Sequence, residues 1–112
     1  RLLAAQSTKV YEGQRGNTDF CAHIEDFVFG KDHPARAEGR TISFTAPGGC
    51  GALFQGVSLM RKTGTKRVWV SKPTWPNHPN VVKSLGLEVM EYAYARDGEF
   101  YRLGMLADLS GA

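Results

Sequence analysis

Residues 66–95 read KRVWVSKPTWPNHPNVVKSLGLEVMEYAYA. The segment "RVWVS" (67–71) is a short, unbroken apolar run, the mark of a strand buried on both faces. "SKPTWPNHPN" (71–80) carries Pro73, Pro76 and Pro79 around Trp75 and His78, and is expected to be an open loop. "NVVKSLG" (80–86) predicts a short helix closing at Gly86. In "LEVMEYAYA", Leu87, Val89, Glu91 and Ala93 alternate with Met90, Tyr92 and Tyr94, which predicts a second strand over 87–94. Strand, helix and strand in this order imply parallel pairing through a crossover, and therefore an α/β fold.

The same logic extends towards the amino terminus. "TISFTA" (41–46) is β-branched and aromatic and predicts a strand. "PGGCG" breaks it, and Leu53, Phe54, Val57 and Met60 then recur at helical spacing. Strands 41–46, 67–71 and 87–94 are expected to share one sheet, with helix 50–62 crossing one face. "NTDFCAHIEDFVFGK" (17–31) places Phe20, Ile24, Phe27 and Val28 on one helical face, with Asn17 or Thr18 as cap and Gly30 as stop. "KDHPARAEGR" (31–40) is polar and turn-rich, so a loop. "DGEF" (97–100) turns the chain, and the last stretch is weakly helical. "RLLAAQ" (1–6) reads as the end of a helix begun earlier, and "LGMLADLSGA" (103–112) as a helix cut short. Both suggest a piece of a longer protein or a degenerate gene copy.

A chain of 112 residues can bury one core and is too short for two domains. With 42% hydrophobic and 22% charged residues its composition is that of a globular protein. The net charge of +3 comes from scattered basic residues, which points to a solvated surface and away from nucleic acid. No apolar run approaches the roughly 18 residues of a membrane span, and no signal-peptide pattern is visible. Cys21 and Cys50 have neither metal nor disulfide-framework spacing, so a reducing compartment, the cytoplasm, is the expectation.

Ligands of open α/β sheets bind beyond the carboxyl ends of the strands. Two loops qualify. In "APGGCGAL" (46–53), glycines let backbone N–H groups approach a ligand, and the following helix points its positive end at the same place, which suits a phosphate. The alternative is a tight strand-to-helix turn. It is neither a P-loop nor a good Gly-x-Gly-x-x-Gly match. In the second loop, Pro73 and Pro76 restrain Trp75, whose flat face could stack on a planar ring or could simply cover the sheet edge. The two loops together suit a ring compound carrying a phosphate.

Residues 66–95 resemble the large domain of the aspartate and aromatic amino acid aminotransferases, pyridoxal-phosphate enzymes of fold type I. The family has a buried strand, a Pro-x-Trp-x-Asn-His loop, a helix and a strand ending in Tyr-x-Tyr in this order. "TAPGGCGAL" resembles its phosphate-binding glycine turn, "IEDFVFGKDHP" the end of one of its helices, and "STKVYEG" its Thr-Lys-x-Tyr segment. The resemblance covers nearly the whole chain. It implies a three-layer α/β/α fold with a mainly parallel sheet, of which residues 1–112 are one partial domain, the N-terminal part of the cofactor-binding large domain.

By this resemblance the cofactor is pyridoxal 5′-phosphate. Trp75 stacks on its ring. Gly48, Gly49 and Cys50 lie at the turn that binds its phosphate. Tyr11 reaches across a homodimer interface to the phosphate of the partner's cofactor. Asn77 and His78 are supporting residues; the alternative for His78 is a surface helix cap, and for Tyr11 an ordinary half-buried tyrosine. Cys50 stands where the family usually has Thr, and a thiol donates more weakly than a hydroxyl.

The resemblance implies transfer of an amino group from aspartate or an aromatic amino acid to a 2-oxo acid. Transamination needs a Schiff-base lysine. None of Lys9, Lys31, Lys62, Lys66, Lys72 and Lys83 stands in the family's Ser-x-x-Lys context. Its Asp-x-x-Tyr pair and the arginine that clamps the substrate carboxylate are also missing. The chain alone is therefore expected to be inactive. The alternatives are a truncated pyridoxal-phosphate-binding or dimer-interaction module, and a small α/β protein using Cys50 as a nucleophile.

Overall fold

The computed structural model describes residue 4 and residues 10–111, in two compact units divided between Ala46 and Pro47. The helix end expected over residues 1–6 lies outside the described residues, apart from Ala4.

In the first unit, helix α1 (Thr18–Phe29) starts where Asn17 Oδ1 accepts the Phe20 N–H at 2.8 Å, and ends at Gly30, whose φ is +88°. These are the expected cap and stop. The helix forms as expected; Phe20, Ile24, Phe27 and Val28 along it are all exposed, and its buried side chain is Cys21. Its Sγ lies 3.7 Å from the Arg15 carbonyl and 3.9 Å from Thr45 Oγ1. The loop expected over 31–40 contains a one-turn helix, α2 (Pro34–Ala37). Its sequence signal was present: Pro34 occupies the first turn, and His33 Nδ1 accepts the Ala35 N–H. Arg36 on this turn pairs with Asp26 and lies 3.8 Å from Glu25.

Residues 41–46 do not form the expected strand. A strand exists only as part of a ladder, and here the Thr45 N–H goes to the Arg15 carbonyl at 2.9 Å while Arg15 Nε donates to the Ser43 carbonyl at 3.3 Å. The extended segment is held by isolated bonds to Arg15. Gly16 permits the approach: its φ is +76°, and a Cβ there would stand 2.3 Å from Thr45 Oγ1.

The second unit is a β-α-β crossover with a helix before it and a hairpin and helix after it. Helix α3 (Gly48–Lys62) leads into strand β1 (Arg67–Lys72). Helix α4 (Asn77–Ser84) carries the chain to strand β2 (Glu88–Ala93), which pairs parallel to β1 with Val70 opposite Glu91. The expected three-stranded sheet is thus a two-stranded parallel pair. Helix α4 also begins earlier than expected. Pro79 is its third residue, and within the first turn a proline forfeits no intrahelical bond. Its end is a Schellman motif: Gly86, at φ +71°, donates to Lys83 and Leu87 donates to Val82.

Val57 of α3, Val82 of α4 and Leu87 form the core, flanked by Leu53, Val68, Val81, Leu85 and Val89. Beyond β2, Asp97 (φ +54°) and Gly98 (φ +84°) make the expected turn, joining strands β3 (Ala95–Arg96) and β4 (Glu99–Phe100). Helix α5 (Arg102–Leu109) returns to β2, where Asp108 Oδ2 accepts the Ala93 N–H at 2.7 Å.

Candidate functional site

The glycine turn becomes the first turn of α3. Pro47 is the cap residue, and it gives the helix's leading N–H groups no side-chain acceptor. Four donors at a helix start need acceptors from outside the helix, and the dipole there favours an anion. Gly48 has a φ of +70°, which glycine adopts freely. A Cβ at Gly49 would meet nothing within 4 Å, so the backbone there is open to a ligand. A Cβ at Gly51 would stand 2.7 Å from Pro47 Cγ, so Gly51 serves the tight turn instead. Gly51 thus fits the reading as a tight turn, and Gly49 leaves open space at the helix start.

The loop after β1 is braced from within. The Lys72–Pro73 peptide bond is cis. The Trp75 carbonyl accepts the His78 N–H at 2.9 Å. The His78 ring meets the Trp75 ring edge-on, with centroids 5.4 Å apart and planes at 89°. Thr74 Oγ1 lies 2.6 Å from His78 Nδ1. His78 thus props Trp75, and Thr74 orients His78. Trp75 remains 45% exposed, enough to offer a face to a ring. Sequence reasoning missed Thr74; its signal was a hydroxyl four residues before a histidine at a helix start.

The two loops meet. Asn77 Nδ2 donates to Cys50 Sγ at 3.3 Å, joining the first residue of α4 to the first turn of α3. Cys50 is exposed, as a free thiol. Tyr11, the remaining expected site residue, belongs to the first unit and is fully exposed. Beside the braced loop, Lys72 Nζ lies 2.8 Å from Glu91 Oε2. The hydrogen bond to Glu91, and then its charge, raise the Lys72 pKa. Among the described residues no cluster of His, Cys, Asp and Glu could hold a metal ion, and no helix is long and apolar enough to cross a membrane.

An uncapped, glycine-opened helix start tied to a propped aromatic plate can hold a planar ring by its face and a phosphate by backbone N–H groups.

Comparison with known proteins gives this geometry a family. The model for "Aminotransferase class I and II" matches residues 1–109. The aspartate aminotransferase of Escherichia coli (strain K12) is 44% identical over 94 residues, which cover 83% of this chain and 24% of that protein. An aromatic-amino-acid aminotransferase from Burkholderia pseudomallei, solved covalently bound to pyridoxal phosphate, superposes with a TM-score of 0.90 at 31% identity, over 98% of this chain and 28% of that one. The aspartate aminotransferase from Saccharomyces cerevisiae cytoplasm gives a TM-score of 0.89 at 28% identity, over 99% and 28%. The chain spans about a quarter of the length of the curated relatives it matches. With nearly all of its residues matched and the α/β architecture shared, the chain belongs to the class I and II aminotransferases.

Proposed function

We propose that residues 1–112 are the N-terminal part of the large, cofactor-binding domain of an aminotransferase of the aspartate and aromatic amino acid group. The whole protein would pass an amino group from an amino acid to a 2-oxo acid, with pyridoxal 5′-phosphate as cofactor. The observation that carries this reading is the Asn77–Cys50 contact, because it joins the aromatic plate to the anion-binding helix start. The donor set fits the cofactor. The first turn of α3 has no side-chain cap, Gly49 leaves open space, and Trp75 exposes a face.

Gly48, Gly49 and Cys50 would hold the phosphate through backbone N–H groups, with the α3 dipole adding to the attraction. The Cys50 thiol adds a weak donor at most. Trp75 would stack on the ring and exclude water from that face. His78 keeps Trp75 in its orientation, and Asn77 supports the loop from the other side. Tyr11 would reach the phosphate of a second subunit's cofactor in a homodimer. When bound, the cofactor draws electrons from the substrate's α-carbon and carries the amino group between the two halves of the reaction. Lys72 pairs with Glu91 and stands outside a Ser-x-x-Lys context, so it is given no role in that exchange. A cytoplasmic setting is part of the proposal and is supported by the compartment in the yeast relative's name.

The test is a titration of the chain with pyridoxal 5′-phosphate, followed by tryptophan fluorescence. Saturable quenching that inorganic phosphate reverses is the expected result. Quenching that never saturates, or that ignores phosphate, overturns the site.

A further inference from the structure

The loop from Thr74 to His78 is held together by contacts among its own residues: Thr74 to His78, and Trp75 to His78 through both backbone and ring. What joins that loop to the start of α3 is the Asn77 amide, donating to Cys50 Sγ. The hydrophobic core also joins α3 to α4, through Val57 and Val82, but from further along both helices. Val57 lies seven residues past Cys50, a rise of about 10 Å at the helical ~1.5 Å per residue. Leu53, three residues past Cys50, and Val81 flank that core nearer the helix starts, and the Asn77–Cys50 hydrogen bond ties the two starts themselves.

We infer that Asn77 is a positioning residue that acts through Cys50, holding the Trp75 plate at a fixed distance from the α3 cradle. The inference rests on the reading of that region as a site for a phosphate-bearing ring. A ligand that touches both parts gains from having their spacing set beforehand, whereas one that touches the cradle alone gains nothing. Asn77 therefore favours the two-ended ligand over the one-ended one. Because the acceptor is a sulfur, the bond is modest, and so is the expected effect.

The experiment compares pyridoxal 5′-phosphate with inorganic phosphate by calorimetry, using the 112-residue chain. Asn77→Ala is expected to weaken pyridoxal 5′-phosphate about three- to tenfold, the range of one lost hydrogen bond, and to leave phosphate within about twofold. In a Cys50→Ala background the Asn77→Ala loss should vanish; in a Cys50→Ser background, whose hydroxyl can accept the same N–H, it should return. Equal losses for both ligands, accompanied by a lower melting temperature, would make Asn77 merely structural and overturn the inference. So would unchanged affinity for both, or an undiminished loss in the Cys50→Ala background. In those cases the proposed site stands. If the unsubstituted chain binds neither ligand, the site itself is overturned and the inference falls with it.

Discussion

Lys72 and Glu91 form an ion pair across the parallel strands β1 and β2, with Nζ 2.8 Å from Oε2. The register puts Val70 opposite Glu91, so the Lys72 side chain reaches diagonally back along the ladder. Both side chains are largely exposed, so the pair adds little stability and salt screens it. It does govern the charge of Lys72, whose pKa rises above 10.5. A base with a raised folded-state pKa contributes stability that is complete below its unfolded value and lost as pH climbs through the folded one. The neutral range should therefore show no effect, and the contribution should disappear only above pH 10.5. An NMR titration of Lys72 Nζ should give a midpoint above 10.5 that Glu91→Gln brings down. A midpoint indifferent to Glu91→Gln would mean that the pair does not form in solution.

The lysines of the chain predict catalytic silence. An ammonium held by a carboxylate is a poor nucleophile. No lysine of the chain, Lys72 included, stands in a Ser-x-x-Lys segment. Mixed with pyridoxal 5′-phosphate and excess aspartate or phenylalanine, the 112-residue chain should convert cofactor no faster than a protein-free control. Lys72→Ala should change nothing. Conversion that exceeds the control and is lost in Lys72→Ala would contradict this.

Two glycine substitutions should separate packing from ligand access. A Cβ at Gly104 would stand 2.2 Å from the Tyr101 ring and 3.1 Å from Ala93 Cβ. Gly104→Ala should thus displace α5 from β2 and cost about 1–3 kcal/mol, as overpacking does. Gly49→Ala meets no protein atom and should not lower thermal stability; alanine's helix propensity can raise it by up to about 1 kcal/mol. Its effect should fall on phosphate, whose approach to the backbone the methyl group obstructs. Thermal melts in the two variants, with a phosphate titration of Gly49→Ala, would check the contrast.

Sequence patterns located most elements of the second unit because each element's signal is local. The apolar run of β1, the stop at Gly86 and the alternation of β2 each report a structure built from neighbouring residues. The Asp97–Gly98 turn was legible for the same reason, since only its own residues need positive φ. Residues 41–46 failed because strand propensity describes a side chain's fit to a sheet and says nothing about whether a partner strand is there. The periodicity of Phe20, Ile24, Phe27 and Val28 located a helix correctly, but periodicity marks an apolar stripe without saying what covers it, and these residues are exposed. At the site, residue types and the nearness of the two loops were readable, but the bond that joins them was not. The Asn77–Cys50 bond spans 27 positions, and no local pattern encodes a contact at that range. The start of α4 at Asn77 was hidden by Pro79, which suggests a loop unless it falls in a first turn.

Val82 and Trp75 should respond to truncation in opposite ways. Val82 is 1% exposed and sits where α4 packs into the core, so Val82→Ala removes two carbons from a filled space. At ~0.8 kcal/mol per buried carbon, with a further cavity term, the cost is about 2 kcal/mol. Trp75 is 45% exposed, and its main packing partner is the edge of the His78 ring. Trp75→Ala should cost about 1 kcal/mol or less in stability, in line with the ~0.5–1.5 kcal/mol of an aromatic pair. Its larger effect should be on ligand: pyridoxal 5′-phosphate should weaken about tenfold, the worth of one stacked ring, while inorganic phosphate should bind as before. Urea unfolding and calorimetry on the two variants would read both quantities. If Trp75→Ala unfolds the chain as readily as Val82→Ala does, then Trp75 covers the sheet edge and is part of the packing. If it spares stability and weakens only the ring-bearing ligand, the tryptophan between Pro73 and Pro76 is there for a ring.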